Sequence, residues 1–177
     1  ASAVARAPGE ALAASTANVV RTAVAQAETP AEVREAAERT LSKSMLLAGG
    51  AVAASIVAAL VLRPLLGPNW HEALAIVPIL SISAFPSMLS WSSAVLQVRV
   101  GQGWHTLWAP LVGIAFAIAI AVAASTSLVL ASYLVVARDL AVVTVAFWLA
   151  RSAAPWRTYG LCWIVVGVLG LITYLMV

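Results

Sequence analysis

Residues 132–147 read SYLVVARDLAVVTVAF, and inside this otherwise apolar run Arg138 and Asp139 stand side by side. Taken with its flanks as one helix over 127–149, the segment is long enough to cross a hydrocarbon core about 30 Å thick, which needs roughly 20 apolar residues. Either charge near the middle of such a span costs about 2.5 to 3.5 kcal/mol on insertion scales, a cost the flanking Leu and Val residues offset. Both side chains must then face protein or water. Helix neighbours point about 100° apart, so each is expected to find its partner on another helix. Three readings stay open. The pair is an interhelical tether; or ARDL is a turn between two helices, which leaves a following apolar stretch of about 11 residues, too short to span; or the pair is functional. In the functional reading Arg138 faces a hydrated cavity and attracts an anionic headgroup, while Asp139 titrates as a coupling site.

Composition extends this membrane reading to the whole chain. Charged residues make up 10% and apolar residues 63% of the 177 positions, and the mean hydropathy is +0.99, far from the roughly one-quarter charged balance of ordinary soluble domains. The opening ASAVARAPGEALAAS has no initiator Met and no compact apolar core followed by a small-residue cleavage site. It is therefore not read as a secretory signal, and the chain is expected to be a piece of something longer. The single cysteine, Cys162, excludes an intrachain disulfide framework and a multi-cysteine metal site.

The expected fold class is all-α, a polytopic transmembrane bundle of about five to six spans. Five of these fall near 44–62, 73–97, 106–124, 127–149 and 159–177. The second holds Pro78, Pro86 and six serines, which predicts a kinked, cavity-facing helix whose freed backbone carbonyls are compensated locally. Residues 1–27 are expected to hold a polar-faced helix, opened by Pro8, that is shielded in the bundle or lies at the interface. Residues 28–43 are expected to form a cytoplasmic amphipathic connection, with Thr29 as N-cap, Pro30 at the first helical position and Glu32 following. Residues 44–177 form the bundle proper.

If the spans alternate, Arg34, Arg39, Lys43, Arg99, Arg151 and Arg157 share one side, and the other holds only Arg63. The first side should be cytoplasmic and the loop 63–72 external. Trp70, Trp104, Trp108, Trp148 and Trp156 fall at expected span ends, where indoles prefer to sit. Small residues at four-residue spacing, such as Gly113, Ala117 and Ala121, allow close helix packing, though an alanine-rich chain produces such rows by chance. Asn18, Arg21 and Gln26 would share nearly one face if the opening helix enters the bundle, which makes them candidate substrate contacts. Arg99 reads as an ordinary snorkelling residue at a helix end. His71 and His105 are isolated, so no metal site is expected. No catalytic triad, paired catalytic carboxylates, phosphate-cradling glycine loop or nucleic-acid-binding stripe is present, so neither an enzyme nor a cofactor protein is expected.

The stretch LLGPNWHEALAIVPIL, residues 65–80, places a Gly-Pro-x-Trp turn between two spans. AVLQVRVGQGW, residues 94–104, puts a Gly in a short loop after Gln97, and a later core span leads to WLARS at 148–152. With the basic stretch before Ser44, this pattern resembles the later half of the polysaccharide and oligosaccharide-lipid flippases of the multidrug/oligosaccharidyl-lipid/polysaccharide exporter superfamily. The resemblance covers roughly residues 10–152 and is one of spacing more than signature. It implies one lobe of a two-lobed transporter in the bacterial cytoplasmic membrane, working by alternating access, inactive without a preceding N-terminal lobe. The implied partners are membrane lipid and a lipid-linked glycan with an anionic diphosphate headgroup, and no nucleic acid. The resemblance maps no invariant residue onto Arg138. Two alternatives accompany it: a multidrug exporter of the same superfamily, for which Asp139 is the only acid within the five spans, and a non-transporting scaffold or assembly subunit in which Arg138 and Asp139 are sealed in packed contacts.

Overall fold

A computed structural model describes residues 2–176, and every regular element among them is helical. Helix α1 spans Ser2–Val24, α2 Pro30–Leu62, α3 His71–Ile82, α4 Ala84–Arg99, α5 Trp108–Thr126, α6 Leu128–Leu149 and α7 Trp156–Met176, with 3-10 turns at Pro68–Trp70 and Gly103–Leu107. Four segments, Pro30–Leu62, Pro68–Arg99, Leu128–Leu149 and Trp156–Leu175, are long and apolar enough to cross a membrane. The protein is a membrane-embedded all-α bundle.

Residues 28–43 and the first expected span are not separate pieces. Thr29 caps α2 by accepting the Glu32 N–H at 3.3 Å, and Glu32 reaches back to accept the Glu28 N–H at 2.9 Å. From this start the helix runs unbroken for 33 residues, about 50 Å at 1.5 Å per residue. A single stripe, Val33, Ala37, Leu41, Met45, Ala48 and Val52, is buried along it. That stripe ignores the expected boundary at Ser44, because the charged early turns keep the same inner face as the apolar later ones.

The second expected span is a broken helix. Pro86 has no N–H for the Ile82 carbonyl, and the chain interrupts one turn earlier, at Ser83, whose N–H and hydroxyl both turn back to the Leu80 carbonyl at 3.1 and 2.7 Å. The hydroxyls of Ser81, Ser92 and Ser93 likewise bond carbonyls of their own helix, as expected where lipid can satisfy nothing. The expected cavity-facing character holds only for the end of α4. Ile79, Ile82, Phe85, Met88, Leu89 and Leu96 are buried, and α3 and α4 between them contact α1, α2, α6 and α7, so the broken helix is the core of the bundle.

Helix α1 begins at Ser2 and runs through Pro8 instead of opening there. It lies parallel to α4. Near its start a Cβ on Gly9 would sit 3.2 Å from the Cβ of Ala84, and at its end Arg99 bonds the carbonyls of Val24, Ala25 and Ala27. Ala13, Thr16, Ala17, Val20 and Val24 form the buried face, while Asn18, Val19, Arg21 and Thr22 are exposed. Helix α5 packs mainly on α6 and presents Ile114, Ile118 and Val122 outward.

The helix ends sort by charge. At one end Arg99 meets the end of α1, Gln97 of α4 meets Ala146 of α6, and Glu38 of α2 accepts the Arg157 N–H at the start of α7 at 3.0 Å. At the other end Arg63, His71 and Glu72 border a cavity of about 280 Å³ with Val129 and Thr173. Successive helices therefore run up and down in alternation, with the shorter apolar helix α5 returning the chain between α4 and α6.

Candidate functional site

The charged pair that stands out in the sequence settles within α6. Ser127 caps this helix, accepting the Leu130 N–H at 3.2 Å, and the helix is continuous to Leu149, which removes the reading of ARDL as a turn. Nε and Nη2 of Arg138 donate to Oδ1 of Asp139 at 2.9 and 2.6 Å. The expectation that adjacent residues could not satisfy each other is thus corrected. The Arg side chain is long and flexible enough to curl across the 100° step, and the alternative is a bare cation at hydrocarbon depth. Arg138 is 25% exposed and Asp139 10%. Neither lines a described cavity among those of appreciable size.

Two other candidates do line one. A groove of about 780 Å³ opens between α1 and α4, at the cation-rich end of the bundle. Its space comes from small side chains, Ala14 and Ala17 on α1 and Ala94 on α4, facing the larger Trp91, Val95 and Val98. Asn18 and Arg21, at i and i+3, put their side chains on its α1 wall. Ser90, Ala94 and Gln97, at i, i+4 and i+7, form the α4 wall. Gln26 does not join them. Helix α1 ends at Val24, so the helical phase that would align Gln26 with Asn18 and Arg21 is lost before it is reached; Gln26 is exposed in the turn to α2.

The polar groups of the groove divide into engaged and available ones. Arg99 is engaged: its three bonds to the last carbonyls of α1 satisfy orphan acceptors and oppose the negative end of the helix dipole. Arg21 is exposed and makes no hydrogen bond or ion pair among the described residues. Gln97, 1% exposed, donates Nε2 to the Ala146 carbonyl at 2.9 Å, and its Oε1 has no hydrogen-bond partner among the described residues. The turn after α4 holds these residues in place. Gly101 adopts φ 75°, the Gln102 N–H bonds the Gln97 carbonyl at 2.7 Å and the Gly101 N–H bonds that of Val98 at 3.2 Å, a Schellman closure that stops the helix just past Arg99.

Sequence reasoning singled out Asn18 and Arg21 and expected the second span to face a cavity, but took Gln97 and Arg99 as its ordinary end. A usable signal was there: Ser90, Ser93 and Gln97 form a polar line at helical spacing in a span otherwise rich in apolar residues. No group of three or more His, Cys, Asp or Glu side chains that could hold a metal occurs among the described residues. No protein-family model, curated protein or solved structure matches the chain.

Proposed function

We propose that this bundle is one lobe of a membrane transporter that moves a lipid-linked oligosaccharide across a bacterial cytoplasmic membrane by alternating access, with its cation-rich end on the cytoplasmic side. The observation that carries the proposal is the groove between α1 and α4. It combines apolar walls with an available guanidinium at Arg21 and a polar neighbour at Asn18, the combination an amphiphile with a phosphate headgroup requires. Arg138 moves out of the substrate-binding role in this proposal, because its charge is balanced by Asp139. A cationic drug would need an acid in the groove, and the groove lining contains none.

The mutual pairing of Arg138 and Asp139 favours a second reading, a scaffold without transport, in which the pair serves folding alone. Export separates the two. In inverted vesicles from cells producing the complete two-lobed transporter to which this lobe belongs, Arg21→Leu is expected to lower uptake of a lipid-diphosphate glycan about tenfold or more, the scale of a lost charge-assisted hydrogen bond, with membrane insertion unchanged. Uptake equal to that of the unsubstituted protein would overturn the transport reading.

A further inference from the structure

Gln97 has a property that the rest of the groove lacks. Its amide orientation is fixed by chemistry: only Nε2 can donate to the Ala146 carbonyl, so Oε1 cannot take that place. The Ala146 carbonyl already accepts the Ala150 N–H at 3.1 Å, which makes the site one of shared acceptance and holds the amide between α4 and α6. Gln97 and Ala146 both line the groove, so the residue that carries the amide forms part of its floor. What remains there is an acceptor with no donor.

A buried acceptor left unpaired is destabilising, and most buried polar groups have a partner. The other orphaned amide oxygen, that of Gln102, lies outside the groove. In the cavity at the opposite end, Arg63, His71 and Glu72 are all exposed and no lining atom is buried and unpaired. The groove therefore brings two complementary features to one site: an available cation on the α1 wall and, on a residue of the floor, a buried acceptor without a hydrogen-bond partner.

We propose that Gln97 is the specificity-determining residue of the groove, its Oε1 accepting a hydrogen bond from a hydroxyl or amide N–H of the ligand's sugar while Arg21 and Asn18 hold the adjoining phosphate. This rests on the transport reading above and adds to it the discrimination of a glycosylated lipid from the bare one. A phosphate offers acceptors and cannot serve Oε1; a sugar offers donors and can. A site built to pair a donor rejects the analogue that lacks it, because its own polar group is then left unpaired.

The test uses the purified full chain in nanodiscs with two probes, a polyprenyl diphosphate carrying one N-acetylated sugar and the same polyprenyl diphosphate without sugar. The unsubstituted protein is expected to prefer the glycosylated probe about tenfold, with both affinities lowered in Arg21→Leu. Gln97→Met removes donor and acceptor together, and Gln97→Glu removes the donor to Ala146 but keeps an acceptor. Loss of preference in Gln97→Met with its retention in Gln97→Glu assigns the discrimination to the acceptor, since both variants lose the bond to Ala146. Equal preference in all three proteins would overturn the proposal while leaving Arg21-dependent binding, and with it the transport reading, intact. If neither probe binds in an Arg21-dependent way, both fall. Should Gln97→Met not fold, single-deoxy sugar probes on the unsubstituted protein replace it: one is expected to lose about tenfold in affinity, and a series without any such loss overturns the proposal.

Discussion

At the scale of single residues, the bundle treats three of its described arginines in three different ways. Arg138 turns to Asp139, Arg99 turns to the carbonyls that end α1, and Arg21 stays open on the groove. The Arg138–Asp139 pair should behave as a unit. Asp139→Leu leaves a partly buried cation without this partner and is expected to destabilise the protein by about 2 kcal/mol, within the range for hydrogen bonds to charged groups. Replacing both residues by Leu should restore most of that loss, because an apolar pair suits this depth. Denaturant unfolding in detergent micelles reads the cycle, and additive losses in the double variant would show that the two do not couple.

At the scale of elements, α2 and the α3–α4 pair show how local chemistry sets boundaries. The start of α2 was legible in the sequence because Thr29, Pro30 and Glu32 carry capping chemistry that needs no tertiary partner. The Glu28 N–H and the Thr29 hydroxyl hold the Glu32 carboxyl below its ordinary value near 4.5. A carboxyl lowered in the folded state adds stability above its unfolded pKa and loses it as pH falls through the folded value. Amide protection in the first turn of α2 should therefore decline on acidification below about pH 4.5, and Glu32→Gln should flatten that decline. Thr29→Ala, which removes the cap itself, should weaken the turn by about 1 kcal/mol at neutral pH. Hydrogen exchange across residues 30–43 measures both, and an unchanged pH profile in Glu32→Gln would refute the carboxylate's part. The break at Ser83 was less legible: Pro86 announces a kink, but the chain gives way about one turn earlier, where the Ser83 N–H and hydroxyl both turn to the Leu80 carbonyl.

At the scale of the whole molecule, alternation of spans gathers the ends of α1, α4 and α6 with the starts of α2 and α7. The contacts among Arg99, Val24, Gln97, Ala146, Glu38 and Arg157 join these helix ends. Asn69 lies in the turn before α3 and Ser152 in the turn before α7, and both are exposed. Cysteines placed there should react with an impermeant reagent from opposite sides of the membrane, while Cys162, fully buried, stays silent. Labelling of both from one side would break the alternation.

The sequence alone determined the membrane setting, the helical class and the α2 cap, since each follows from apolar length or from side chains acting on their own backbone. It also singled out Asn18 and Arg21, two polar residues one turn apart on an alanine-rich helix. Only the tertiary structure decided that α1 lies parallel to α4, because the pairing of helices depends on which small residues meet, here Gly9 and Ala84, and an alanine-rich chain offers many such surfaces. The same structure decided that Arg138 is neutralised within its own helix and that Gln97 keeps a buried acceptor at the floor of a groove. Hydrogen-bond satisfaction is a property of a site's surroundings, and those surroundings come from residues some 50 positions apart along the chain, Gln97 and Ala146 among them, 49 residues distant in sequence.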